Sequence, residues 1–279
     1  RPVPRRPAPV QLVELPRIER GRLEPGRMRE RRAILTRRIA EMRPDVVLVE
    51  HFPFAKWALR DEILAVLDAA QAPAYCSIRE FPLAKDSPPF DEVAAELAHR
   101  FRGVLVHGDP RLAPFDLALP VETMHTGYVS EKPRTPRGEG AVVISVGGTG
   151  GERLTEVARA AWPEAEVFGS LGGPGPFVAD FVDRLAGASL SISQAGYNTC
   201  TNILETRTPA VLAPHPLMPD QQVRARRFAE LGLAQHVDAE TVDVDGLHEA
   251  AARARAPRHD FDLDGARRTA ALLSERHHA

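Results

Sequence analysis

The residues of this sequence best suited to hold an anion lie in two glycine-containing turns, each between an apolar run and a helical pattern. The first is Ser145-Val146-Gly147-Gly148-Thr149-Gly150-Gly151. Glycine lets a backbone approach a phosphate closely, and the free N–H groups at a helix start point at an anion. The Thr149 hydroxyl adds a donor. The spacing is not the dinucleotide fingerprint, and such a turn alone serves equally as a plain tight turn. The second is Ser193-Gln194-Ala195-Gly196-Tyr197-Asn198-Thr199, which also joins a strand to a helix. Asn198 or Thr199 has an ordinary use there as a helix cap. Both turns sit at strand ends of one α/β series, where ligands of open parallel sheets bind. Two such loops and two helix dipoles suit a diphosphate. A third segment, Pro214-His215-Pro216-Leu217-Met218-Pro219-Asp220-Gln221-Gln222, ends another strand. Gln221 and Gln222 can each donate and accept, as sugar hydroxyls require, while Asp220 suits a helix N-cap.

Other strand ends carry titratable side chains. Glu50-His51, Arg79-Glu80 and His107-Gly108-Asp109 each follow an apolar run. His51 or Glu50 is a candidate general base towards an acceptor hydroxyl, with Glu80 similar and His107 weaker. A lone loop histidine is more often structural or merely exposed. Two Asp-x-Asp triplets, Asp243-Val244-Asp245 and Asp262-Leu263-Asp264, stand before helical stretches. Asp245 and Asp264 therefore read as N-caps, and no metal site is expected. No His/Cys cluster has zinc spacing.

These residues need a scaffold, and the hydrophobic pattern supplies one. The charge run from Arg27 to Arg43 carries Ile34, Leu35, Ile39 and Met42 at helical period, an amphipathic helix with a solvated basic face. Residues 1–30 are rich in Arg and Pro around one apolar run, Val10 to Leu15, read as a strand with a mobile loop. Strands are expected at 46–49, 74–78 and 104–107, alternating with helices at 59–70 and 90–100. The polar Pro/Gly-rich segment 130–140 reads as a linker. A second series follows, with strands at 141–146, 166–168, 190–193 and 210–213 and helices at 152–161, 198–206, 220–231 and 247–254. The expected fold class is α/β: two doubly wound Rossmann-like domains, 1–132 and 133–279.

Composition narrows the classes. A chain of 279 residues that is 43% hydrophobic can bury one large or two medium cores. A net charge of -2 favours no nucleic-acid partner. The two cysteines, Cys76 and Cys200, form no disulfide framework and fit a reducing, cytoplasmic setting. No apolar run approaches the roughly 20 residues that span a bilayer. There is no signal-peptide pattern. The basic helix leaves open a peripheral contact with an anionic membrane, though a solvated face is the commoner use.

The block from Ser193 to Leu233, "SISQAGYNTCTNILETRTPAVLAP…DQQVRARRFAELGLA", resembles the carboxyl-terminal domain of family 28 glycosyltransferases. "RPDVVLVEHFPF" and "VLVHGDP" are similar to a related bacterial group of predicted glycosyltransferases, so the likeness runs over roughly 40–236. The resemblance implies a GT-B fold with an interdomain cleft, and an inverting, metal-independent transfer. It also implies a UDP-sugar donor held by the second domain, with no cofactor. By that resemblance Gly147, Gly148 and Thr149 lie near the donor phosphates. Ser193, Ala195, Gly196 and Thr199 form the second diphosphate loop. Phe177 and Val178 read the base, and Gln221 and Gln222 touch the sugar.

The chain also departs from the family. Where the family has a Glu that accepts both ribose hydroxyls, this chain has Asn202, with Glu205 one turn later as a substitute. No Gly-rich catalytic loop precedes Val10, so the first βα units are expected to lie outside this sequence or to be lost. Gly169 passes almost directly to Phe177, where relatives fit a helix and strand. Where other members have an Arg near the hinge, this chain has Glu131 and Lys132. The acceptor is open among a lipid-linked sugar, a natural product and a polysaccharide. Two rival activities share these features: a nucleotide-sugar hydrolase on the same fold, and a non-catalytic sugar-nucleotide-binding partner protein.

Overall fold

The computed structural model describes residues 11–18, 23–81, 88–138, 140–147, 151–169 and 175–277. The chain forms two compact units. The first takes the chain up to His107, Asp116–Thr126 and the chain from Arg267 onward; the second takes Gly108–Phe115 and Gly127–Ala266.

The first unit opens with α1 (Pro25–Met42), β1 (Val47–Glu50), a 3-10 turn (Trp57–Leu59), α2 (Arg60–Ala70), β2 (Ala74–Arg79), α3 (Phe90–Arg100), β3 (Gly103–His107) and β4 (Glu122–His125). Its strands are all parallel, in the order β1-β2-β3-β4. Val104, Leu105 and Val106 are fully buried, as continuous apolar strands covered on both faces must be. At Gly103, where β3 meets β4, a Cβ would stand 3.0 Å from the Glu122 carbonyl oxygen, and Met124 Cε would have to move aside.

Pro25 starts α1, where its missing N–H costs nothing, and Arg43 ends it in a left-handed cap with φ 47. No residue of α1 is fully buried. Its basic face is not all solvated, however: Arg31 forms a two-pronged pair with the buried Glu62, at 2.9 and 2.8 Å. Arg31 also reaches the carbonyl of Pro16. The strand expected at Val10–Leu15 does not form over 11–18, which is irregular; Val10 lies outside the described residues.

The second unit contains β5 (Gly140–Val146), α4 (Glu152–Ala161), β6 (Glu166–Gly169), α5 (Phe181–Gly187), β7 (Ala188–Ser193), α6 (Tyr197–Thr206), β8 (Ala210–Leu212), α7 (Pro219–Glu230), β9 (Gln235–His236) and α8 (Val244–Arg253). The sheet is parallel, in the order β6-β5-β7-β8-β9. From β5 the chain first adds β6 on one side, then β7 on the other. The sheet order therefore reverses at the β5/β7 pair, the point at which a doubly wound sheet opens a crevice for a ligand. One face is covered by α4 and α8 through Leu154, Ala158, Leu247 and Ala250 against Ile144, Ile192 and Val211. Each buried aliphatic chain stabilises by about 1.5–3 kcal/mol. The opposite side of α6 is apolar at helical spacing, with Tyr197, Cys200, Ile203 and Leu204 buried.

The last helix, α9 (Gly265–His277), groups from Arg267 onward with the first unit. Leu272 and Leu273 pack on Tyr75, Leu105 and Met124 there, and the Tyr75 hydroxyl bonds His277 Nε2 at 3.0 Å.

The expected N-caps shift. Asp243, not Asp245, caps α8, its carboxylate accepting from Gly246 N–H at 2.8 Å, so the helix starts before the expected Leu247. Asp264 directly precedes α9 (Gly265–His277), as expected of its N-cap. Asp262 accepts its N–H at 2.8 Å, and Asp264 pairs with Lys132 at 3.2 Å. Met218 rather than Asp220 is the N-cap residue of α7.

Candidate functional site

In the second unit, the ends of β5, β7 and β8 stand side by side. Ser145 is in register with Ser193, which is in register with Leu212. The first loop begins at Gly147, whose N–H donates to Gln194 Oε1 at 2.8 Å. A Cβ at Gly147 would fall 2.7 Å from that oxygen, so the contact requires glycine. Gly148 and Thr149 lie outside the described residues. The loop closes at Gly151 (φ 154), a backbone reserved for glycine, and α4 begins there. Glu152 turns back to accept the Gly151 N–H at 2.9 Å. Its own N–H and that of Gly151 hold its carboxyl below the ordinary range, with a smaller contribution from His215.

The second loop is built differently. Ser193 is fully buried, with its hydroxyl 3.3 Å from Ser191 Oγ. Ala195 is fully buried too, and its carbonyl takes Arg224 Nη1 at 2.6 Å. Arg224 is itself only 1% exposed and pairs with Asp220 at 3.2 Å. A buried guanidinium thus ties α7 to the loop before α6. Gly196 is the N-cap residue of α6, in extended conformation, with no side-chain cap; a Cβ on it would meet only Thr199 Oγ1, at 4.0 Å. The first N–H groups of α6 have no partner within the helix.

The third loop turns both glutamines onto one peptide. Gln221 Oε1 accepts from His215 N–H at 3.0 Å, and Gln222 Nε2 donates to His215 C=O at 3.2 Å. What remains for a ligand is the amide of Gln221 and the carbonyl of Gln222. Phe177 and Val178 follow β6 in irregular backbone, Phe177 45% exposed. Part of the short stretch before them lies outside the described residues. Asn202 is on α6 about a turn and a half from its start. Glu205 is farther on, turned to the linker: Ser130 donates to it, and Lys132 lies 3.7 Å away. The two ribose candidates therefore occupy different surroundings.

The first unit holds the candidate bases. Glu50, at the end of β1, is bound by Lys56 at 2.8 Å and Arg79 at 3.4 Å. The hydrogen bond from Lys56 keeps its carboxyl below the ordinary range despite partial burial. His51 follows in left-handed backbone (φ 64), Nε2 4.0 Å from Glu50 Oε1. Glu80 is only 1% exposed. His107 is fully engaged: Nε2 bonds Ser77 Oγ and Nδ1 bonds Thr126 Oγ1, both at 2.8 Å. Burial pushes its basicity down, so it is a structural neutral imidazole.

Sequence reasoning passed over Gln194, Glu152, His215 and Arg224 as site residues. Gln194 and His215 stood inside quoted segments, and Arg224 carried an i,i+4 signal to Asp220. Only the folded loop shows which backbone groups they hold.

Two parallel α/β units, the second reversing its strand order under two glycine turns, define the GT-B class. The chain is similar throughout to solved members. Acinetobacter baumannii MurG matches with TM-score 0.57 and 17% identity over 96% of this chain and 85% of that one. Arabidopsis thaliana UGT89C1 complexed with UDP-L-rhamnose matches with TM-score 0.55 and 15% identity over 94% and 77%. Residues 173–276 match the glycosyltransferase family 28 C-terminal domain. A UDP-N-acetylglucosamine–N-acetylmuramyl-(pentapeptide) pyrophosphoryl-undecaprenol N-acetylglucosamine transferase of Methylorubrum extorquens is 34% identical over 38% of this chain. The NDP-glycosyltransferase YjiC of Bacillus licheniformis is 35% identical over 28%. The matched stretches span 32% and 19% of those two relatives.

Proposed function

We propose that this protein is a glycosyltransferase. It moves a sugar from a nucleoside-diphosphate donor, UDP-linked by its relatives' names, to an acceptor hydroxyl, inverting C1 and using no metal. The observation that carries the reading is the pair of glycine loops, at Gly147 and Gly196, over two helix starts where the sheet order reverses. Fixed N–H groups there meet the charge that develops on the departing diphosphate, and they need no reorganisation to do so.

His51 fits the base among the three candidates. Glu50 is held as an anion by Lys56 and Arg79, which makes it a weak proton acceptor and a good neighbour for an imidazolium. Glu80 is too buried to reach an acceptor. In the proposed step the imidazole takes the acceptor's hydroxyl proton while that oxygen attacks C1. The bond from C1 to the phosphate oxygen breaks, and its electron pair leaves on the diphosphate. Two buried thiols, Cys76 and Cys200, suit a reducing compartment and a cytoplasmic enzyme. No helix among the described residues is long and apolar enough to cross a membrane.

The test is calorimetric titration with UDP, TDP and GDP without added metal, on wild type and Gly196→Trp. The backbone at Gly196 accepts any side chain and its surroundings are open, so the variant should fold and lose binding. Unchanged affinity in Gly196→Trp would remove the diphosphate from this loop.

A further inference from the structure

The strand-end loop after β8 presents a ring whose role neither the glycine loops nor the glutamine pair accounts for. His215 is fixed by four hydrogen bonds, one of them from Met218 N–H to its carbonyl at 3.1 Å. Its N–H goes to Gln221 Oε1, its carbonyl takes Gln222 Nε2, and its ring Nδ1 accepts Leu217 N–H at 3.1 Å. A neutral imidazole that accepts at Nδ1 carries its proton on Nε2. Nε2 has no hydrogen-bond partner among the described residues.

His215 lines a cavity of about 280 Å³ with Gly151, Glu152, Arg153, Gln194 and Ala213. The volume suits a phosphoryl group rather than a whole nucleotide sugar. Glu152 and Glu240 also line the cavity, and the Glu152 carboxylate accepts the Gly151 N–H at 2.9 Å, a donor that an incoming phosphoryl oxygen would take over. Gln194, which holds the Gly147 amide, lines the same space.

We propose that His215 is a donor-site residue whose Nε2–H hydrogen-bonds a phosphoryl oxygen of a nucleoside diphosphate entering the cavity it lines with Gly151 and Gln194. This rests on reading the second unit as a nucleoside-diphosphate-sugar site. The glutamines then have a second use: by fixing the His215 peptide they aim the ring before the ligand arrives.

Two near-isosteric variants separate this role from a merely structural one. In His215→Asn the side-chain oxygen can still accept Leu217 N–H, but nothing replaces Nε2–H. In His215→Gln an amide N–H reaches the Nε2 position. Each is titrated with UDP, TDP and GDP and with uridine, thymidine and guanosine. The expected result is that His215→Asn loses about tenfold or more in affinity for the diphosphate that wild type binds, the size of a lost hydrogen bond to a charged group. Its affinity for the matching nucleoside stays unchanged, and His215→Gln recovers most of the loss. Wild-type affinity in His215→Asn, or an equal loss for nucleoside and diphosphate, overturns the proposal while leaving the donor site standing. If wild type binds none of the three diphosphates, the donor-site reading itself fails and the role of His215 falls with it.

Discussion

The strand ends of the two units solve different problems. In the first, polar side chains satisfy one another: Glu50 with Lys56 and Arg79, His107 with Ser77 and Thr126. In the second, side chains are spent on the backbone: Gln194 on Gly147, Arg224 on Ala195, Gln221 and Gln222 on His215. The sheets differ in the same sense. The described strands of the first run in simple order, whereas those of the second reverse at β5/β7. Groups that must change charge sit well among adjustable side chains. Groups that must hold a fixed charge are better as backbone dipoles in a rigid frame.

The contrast can be broken first at His51. His51→Ala should lower kcat by about 100- to 10,000-fold, the usual contribution of a general base, with donor affinity unchanged. A variant that instead loses donor affinity and keeps kcat would assign His51 to binding. Next comes the frame. Arg224→Ala removes the guanidinium's bonds to the Ala195 carbonyl and to the part-exposed Asp220 and should destabilise by about 1.5–3 kcal/mol in urea unfolding. A loss below about 1 kcal/mol would mean the second loop keeps its shape without it. A smaller effect is expected at Asp243→Ala, about 1 kcal/mol for a lost helix cap, read from the same midpoint shift.

The smallest effect is a slope with pH. His107 is less basic folded than its ordinary value of 6.5 because it is buried. Its contribution to stability is therefore complete above the unfolded value and is lost as pH falls below it, since the unfolded ring then binds a proton first. Unfolding midpoints at pH 8 and pH 5 should differ less in His107→Gln than in wild type. An equal difference would assign the slope to other groups.

Much of the frame was legible from hydrophobic runs. The helix at 152–161 and the strands near 74–78 and 141–146 stand within a residue or so of expectation, because each is a continuous apolar or amphipathic block. What the runs did not carry was β4, α5, β9 and α9. Two of these are very short, β9 only Gln235–His236, and take their identity from a neighbouring strand. The Arg-rich α9 owes its place to Leu272 and Leu273, to the Tyr75–His277 bond and to the Arg276–Glu122 pair, all with partners far away in sequence. The glycines of the site announced themselves by type. The orientation of Glu205 towards Ser130 and Lys132 did not, because it depends on where a linker runs.

The packing of α9 on Tyr75, Leu105 and Met124 also bears on how the chain is made. Tyr75 and His277 are 202 residues apart. During synthesis at about 5–20 residues per second, the strands of the first unit wait on the order of ten seconds or more for that helix. The second unit, whose elements follow one another closely, can close its sheet meanwhile. The strands of the first unit are thus covered only after the second unit has been made, and until then they are the segment most dependent on protection from aggregation.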